Sequence, residues 1–309
     1  MDGMIANWLA GTPTMAAPLL LAALGLIINE RAGVLNLGAE GLMMVGALAG
    51  VMATFHAGDP WAGVAAALAA SALVSLVFGL LAVVLRANQV ITGLTVVAFG
   101  AGLTGLFGPP YSQAAIPSFR PLDLGLLAEI PYVGRALFGQ DVLFYLGLLV
   151  TAAVWWTLHR TRLGLCLRAV GESPQAADAA GVDVQAMRIG AVTVGGMLCG
   201  LAGADVSLAA SQTWVEGMTG GRGWIAVALV IFARWSPWRA LLGALLFGSI
   251  EALIPRIQAT GTNAPTFLLK MLPYLATLAV LVVTALARRP GQTAPQALAL
   301  PYLREDRRD

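Results

Sequence analysis

The stretch Ala16-Ala-Pro-Leu-Leu-Leu-Ala-Ala-Leu-Gly-Leu-Ile-Ile-Asn29-Glu30-Arg31-Ala-Gly-Val-Leu-Asn36-Leu-Gly-Ala-Glu40-Gly41 decides the fold class. It closes one apolar run, 14–29, and opens a second, 38–55, that only Glu40 interrupts. A helix on a soluble protein keeps a polar face, whereas these runs are apolar all round. Each approaches the ~20 residues that a helix needs to cross a hydrocarbon core of ~30 Å. The pattern recurs at 61–85, 89–108, 142–159, 189–210, 240–254 and 266–287, with a shorter run at 223–233. Eight or nine crossings result.

Composition agrees. Of 309 residues only 34 are charged, 11%, while 58% are hydrophobic; soluble domains carry ~25% charge. The runs do not alternate apolar with polar as barrel strands do, so the expected fold is all-α, a polytopic transmembrane helical bundle. The whole chain, 1–309, reads as one transmembrane domain.

Several chemistries are excluded. The single lysine, Lys270, lies in Leu-Leu-Lys-Met, so no phosphate-cradling Gly-x-x-x-x-Gly-Lys-Ser/Thr loop exists. Two histidines, His56 and His159, and two cysteines, Cys166 and Cys199, are too few and too far apart for a metal or redox cluster. No cofactor, metal or catalytic residue is expected, and nothing points to nucleic acid.

Arginine placement gives the orientation. With the tail inside, Arg31, Arg86, Arg160, Arg162, Arg168, Arg188, Arg234, Arg239, Arg288, Arg289, Arg304, Arg307 and Arg308 are cytoplasmic, thirteen of eighteen basic residues. The 109–141 loop is then extracytoplasmic, and its Pro109, Pro110, Pro117, Pro121 and Pro131 make it a semi-rigid cap. Residues 160–188 form the one sizeable cytoplasmic loop and 288–309 a cytoplasmic tail. Met1 to Thr14 contains no base, which reads as a retained first helix with its N-terminus outside.

Two polar elements break the apolar pattern. Ionised groups at mid-bilayer cost ~2.5–3.5 kcal/mol each, so they persist only when paired, water-facing or interfacial. In 29–41, Asn36 and Glu40 are four apart and would share one side of a helix starting near Asn36, beside Gly38 and Gly41. Glu30 and Arg31 fit equally a cap at the cytoplasmic interface. The second element, Trp214-Val-Glu216-Gly-Met-Thr-Gly-Gly-Arg222-Gly, precedes about eleven apolar residues, too few to span. Broken transporter helices look like this. Both elements run from polar glycine-rich to apolar, which suggests inverted-type halves whose broken helices face each other at a pathway. Asn36, Glu40, Trp214 and Glu216 are its candidate lining residues. A plain external loop with Arg222 at the headgroups is the alternative. Asp205 and Glu251 lie near span ends, where snorkelling or helix packing explains them equally well.

In the cytoplasmic loop, Ser173 suits a helix N-cap, Pro174 the first helical position and Gly181 the left-handed residue that ends a helix. A helix over 174–180 follows, below the ~12–15 residues that persist alone in water. It therefore needs a surface, either a partner's groove or its own bundle.

Together the residues at 29–41, Arg-Ala-Val-Gly-Glu-Ser-Pro-Gln-Ala-Ala-Asp-Ala-Ala-Gly at 168–181, Gly-Arg-Gly-Trp-Ile-Ala-Val-Ala at 221–228 and Leu-Pro-Tyr-Leu-Ala-Thr-Leu at 272–278 resemble the permease subunits of bacterial ABC importers. The resemblance is to the branched-chain amino acid and simple-sugar permease superfamily, nearest its nucleoside (guanosine or purine) branch. It implies a coupling helix in which Glu172, Ser173, Pro174, Ala176, Ala177 and Gly181 meet a cytoplasmic ATPase. It also implies a second, related permease, an extracytoplasmic solute-binding lipoprotein and residence in the bacterial inner membrane. The expected function is nucleoside import by alternating access, with no bond of the substrate changed. Simple-sugar import is the near alternative. An ion-coupled carrier using Glu30, Glu40, Asp205 or Glu251 is the more distant one.

Overall fold

The computed structural model describes residues 2–112, 114–122, 130, 134–259, 271, 272, 274–276, 278, 279, 282 and 294–303. The order is α1 (Asp2–Arg31), α2 (Ala39–Ala57), α3 (Pro60–Gly79) prolonged by a π turn Leu80–Val84, and α4 (Gln89–Phe107). Further along the chain come α5 (Gly134–Phe138), α6 (Val142–Arg160), α7 (Arg162–Glu172), α8 (Pro174–Ala179) and α9 (Val184–Asp205), prolonged by a π turn Val206–Ala210. Helices α10 (Arg222–Ala233) and α11 (Pro237–Ala259) follow. Among the described residues seven helices are long and apolar enough to cross a bilayer, and α10 is the short one the sequence predicts. The expected span 266–287 falls largely outside the described residues; those described between 271 and 282 are helical.

Helices α1, α2 and α9 form the buried centre, with Leu19–Leu24, Leu42, Met43 and Cys199 all at or below 1% exposure. Small residues let backbones touch where no hydrophobic force between helices exists in lipid. Gly46 of α2 lies on Gly200 of α9, Gly25 of α1 on Gly195, and Gly41 of α2 on Val96 and Gly100 of α4. Serines then bond across: Ser71 Oγ donates to the Leu42 carbonyl at 3.2 Å, Ser75 Oγ to Val192 at 2.6 Å and Ser207 Oγ to Ala47 at 3.1 Å. Outward faces stay apolar, as Ile91, Phe99 and Leu106 show on α4.

These contacts fix directions. Gly46 meets Gly200 and Gly50 meets Ala204, so α2 and α9 run parallel. Cys199 reaches Ala22 and Gly195 meets Asn29, so α1 runs against α9 and therefore against α2. Arg222 reaches Met15 while Trp235 reaches Glu30, so α10 runs with α1 and opposite to α2. The ends of α1, α3, α6 and α10 that bear Arg31, Arg86, Arg160 and Arg234 thus share one side, the basic end, with Arg188 at the start of α9.

Candidate functional site

The two polar elements meet. Segment 32–38 leaves α1 as a turn, a short irregular stretch and a second turn: Leu35 N–H donates to Gln89 Oε1 at 2.8 Å, and Gly93 packs on Leu37 and Gly38. Because Gly46 lies on Gly200, the first turn of α2 sits level with roughly residue 194, near the middle of the Val184–Ala210 span. There the Glu40 carboxylate accepts from Thr219 Oγ1 at 2.6 Å, Gly221 N–H at 3.0 Å and Gly223 N–H at 2.7 Å. Helix α10 has Gly221 at its N-cap, φ +84°, with no side chain of its own to cap it. Glu40, brought from α2, does so instead, and Gly223 gives the room, since a Cβ there would strike the Glu40 backbone.

The electrostatics follow from direction. Helices α2 and α10 run opposite ways from this point, so the positive ends of both converge on one carboxylate. A buried charge that would be costly alone, Glu40 at 4% exposure, is thereby satisfied. The same polar element also holds the other end of α10. Trp235 Nε1 donates to Glu30 Oε2 at 2.5 Å, and Arg31 Nη2 to the Trp235 carbonyl at 3.4 Å. Residues 29–41 clasp this twelve-residue helix, ~18 Å long, at both ends.

One expectation is corrected here. Asn36 and Glu40 do not form an i, i+4 stripe, because α2 begins at Ala39; Asn36 Oδ1 accepts the Gly38 N–H at 2.9 Å, a local turn that competes with helix. Asn36 is nonetheless buried, 1% exposed, with Nδ2 unpartnered among the described residues; so are both polar atoms of Asn29, which sequence reasoning passed over. Trp214 is also buried, packed on Gly108. Glu216 is exposed beside Gly105, away from Asn36. The structure therefore brings Glu40 to the 219–223 element, and leaves Trp214 and Glu216 at the end opposite the basic one. Phe55, His56 and Tyr111 cluster at that same end, ring centroids 5.4–5.9 Å apart, with His56 Nε2 3.0 Å from the Tyr111 hydroxyl. Arg222, which the alternative of a plain external loop sets at the headgroups, is paired with Glu251 at 3.0 Å.

At the basic end, α8 matches its punctuation. Ser173 Oγ accepts from Ala176 N–H at 3.4 Å, Pro174 opens the helix, Ala180 ends it and Gly181 is left-handed at φ +85°. Burial divides its residues. Pro174 and Ala177 face inward, Ala177 against Val170, Val184 and Tyr302, while Glu172, Ser173, Gln175, Ala176, Ala179 and Gly181 are exposed. The tail straps this helix to the first polar element: Ala297 N–H donates to Gly171 at 2.9 Å, Ala299 N–H to Gly33 at 3.2 Å, and Arg188 Nη1 to Leu300 at 3.0 Å. Arg188 Nε donates to Ala32 at 3.2 Å, completing the link.

An apolar bundle with two helix N-termini meeting at membrane depth, and a short capped helix presented on one face, defines an integral membrane transport component. Residues 8–285 match the family described as branched-chain amino acid transport system / permease component, and the chain belongs to that family. It is 43% identical to a putative glucose ABC transporter permease protein of Haloferax volcanii, over 97% of this chain and 98% of that one. A guanosine ABC transporter permease protein of Bacillus subtilis is 33% identical, over 96% of each chain. A nucleoside ABC transporter permease protein of Lactococcus lactis is 34% identical, over 87% of this chain and 89% of the other.

Proposed function

We propose that this chain is the membrane-spanning permease of an ATP-driven ABC importer for nucleosides, working in the cytoplasmic membrane with a second related permease, a cytoplasmic ATPase and an extracytoplasmic solute-binding lipoprotein. The observation that carries the transport reading is the Glu40 clasp, because non-helical backbone at membrane depth is tolerated only where protein or a water-filled route surrounds it. Guanosine and nucleoside permeases among the full-length relatives support the cargo. The excess of arginine at the basic end supports a cytoplasmic α8, with the N-terminus outside.

In this reading the exposed face of α8, with Glu172, Ser173, Gln175, Ala176 and Ala179, seats in the ATPase. Its inward face, Pro174 and Ala177, passes motion through the tail to Gly33 and Gly171, and so to the clasp, so that the route opens to one side at a time. The unpartnered Asn29 amide and Asn36 Nδ2 supply hydrogen-bonding groups for ribose hydroxyls. A buried amide left unpaired costs ~1–3 kcal/mol, which a passing hydroxyl would recover. Glu40 positions these elements, and Trp214 and Glu216 stand at the outer approach. The glucose name of the 43% relative favours a second reading, simple-sugar import, in which the same amides meet a free sugar.

Uptake of labelled guanosine and glucose by cells expressing the chain with its neighbouring transporter genes decides between them. Guanosine uptake that vanadate blocks and a protonophore leaves intact is the expected result. Glucose uptake alone would select the second reading, and uptake sensitive only to the protonophore would overturn both.

A further inference from the structure

Beside the basic end, α6, α7 and α9 enclose a groove of about 550 Å³ that the transport reading does not use. Its wall on α9 is one continuous helical face, Ala186, Met187, Gly190, Ala191, Val194 and Leu198. From Asp183 to Leu198 that face is about 22 Å long, somewhat more than the ~15 Å depth of one hydrocarbon leaflet. Val150, Val154 and Leu158 line the α6 side. The groove is open to the surroundings, since Leu163 is 65% and Val194 48% exposed. It therefore runs from one membrane surface to the bilayer centre and is apolar along its length.

Its mouth is charged. Ala153 and Thr157 line the groove from α6, and Arg160, three residues beyond Thr157, continues the same stripe at the helix end. Arg162 adjoins the lining residue Leu163. Both arginines are exposed, and neither forms a hydrogen bond or ion pair among the described residues. Asp183, the one acid in the lining, is engaged as the N-cap of α9, accepting from Ala186 N–H at 2.9 Å. His159 is stacked on Trp155. Helix α7 begins with Gly164 against Leu158 at the end of α6 and finishes with Gly171 against Arg31 at the end of α1, so it runs along the membrane face and floors the groove.

We propose that this groove binds one anionic phospholipid, an acyl chain lying along the α9 face and the headgroup phosphate on Arg160 and Arg162. Charge complementarity and leaflet depth both favour that occupant. Phospholipid here would brace α7, and through it the docking helix that the transport reading assigns to the ATPase; that the lipid belongs to the cytoplasmic leaflet rests on that reading.

The test is lipid retention, which needs no transport. The chain is purified with its partner subunits from vesicles of equal phosphatidylglycerol and phosphatidylcholine, and bound lipid is read by native mass spectrometry. Wild type should retain phosphatidylglycerol in preference. Because each basic side chain near an anionic surface is worth roughly a factor of five, R160Q/R162Q should weaken retention about twenty-five-fold and R160K/R162K should restore it. Ala191→Trp, which fills the groove, should exclude the acyl chain with both arginines present. Equal retention by wild type, R160Q/R162Q and Ala191→Trp would overturn the proposal. So would efficient disulfide cross-linking of Val194→Cys between two permease chains, which would make the groove a subunit interface. Loss of vanadate-sensitive uptake with lipid retention intact would count against the transport reading alone.

Discussion

The Glu40 carboxylate accepts a hydrogen bond from Gly223 N–H at 2.7 Å, and so caps a helix 183 residues further along the chain. Charge-assisted bonds of this kind are worth ~1.5–3 kcal/mol each. Glu40→Gln keeps the length of the side chain but removes the charge and turns one acceptor into a donor that faces other donors. Denaturant unfolding in detergent should show a loss of ~2–3 kcal/mol, with uptake impaired. Thr219→Val, which deletes one of the three donors, should cost less. An unchanged midpoint in Glu40→Gln would mean that the clasp does not hold α10.

Helix α8 separates stability from assembly. Ala176 is exposed and Ala177 is buried against Val170, Val184 and Tyr302. Ala176→Asp should leave the unfolding midpoint within ~0.5 kcal/mol of wild type while abolishing co-purification with the ATPase. Ala177→Asp buries an unpaired carboxylate and should cost several kcal/mol in its own right. If Ala176→Asp copurifies normally, the exposed face of α8 is not the docking surface.

Much of this arrangement is legible in the sequence because membrane depth makes polarity conspicuous. Glu30, Glu40 and the glycines of 217–223 stand out against apolar runs, and the eleven residues after them are too few to span. Ser173, Pro174 and Gly181 mark α8 by local chemistry alone. What is not legible depends on partners distant in sequence. Whether Asn36 joins a helix turns on whether its side chain or the next turn takes the Gly38 N–H. Which way Ala177 points is set by Tyr302, 125 residues later, in a tail with no periodicity. The segment around Pro131 and the motif at 272–278 lie wholly or partly outside the described residues.

The tail should stiffen α8. Tyr302 packs on Val170 and Ala177, and Ala297 N–H bonds to the Gly171 carbonyl. Tyr302→Ala removes a buried aromatic anchor, so amide hydrogen exchange should rise across 170–184 and stay unchanged in α9 beyond residue 190. Vanadate-sensitive uptake should fall although the ATPase still binds. Unaltered exchange at 170–184 would show that the strap bears no load.

Close backbone approach makes the centre intolerant of bulk. Gly46 of α2 and Gly200 of α9 touch backbone to backbone, so Gly46→Leu should destabilise by at least the ~1–3 kcal/mol typical of overpacking and reduce the yield of folded protein. Leu106→Ala, on an outward-facing position that is 70% exposed, should leave the midpoint within ~0.5 kcal/mol. Equal effects at the two positions would contradict the assignment of α2 and α9 to the buried centre.

Arg222 and Glu251 form an ion pair at 3.0 Å whose side chains are 20% and 13% exposed. Arg222 is the first residue of α10, where the helix end already carries partial positive charge, so the cation is held by its partner against the dipole. Removing one member leaves the other charged and poorly solvated, which costs ~3–5 kcal/mol for buried pairs; removing both in favour of apolar groups is often neutral. The pair being part-exposed, Arg222→Met and Glu251→Leu should each cost ~2–3 kcal/mol, while R222M/E251L should cost no more than either change alone, a coupling of ~2–3 kcal/mol in a double-mutant cycle. Additive losses would mean that the two charges are solvated separately and that α10 owes its position to Glu40, Glu30 and Trp235 alone.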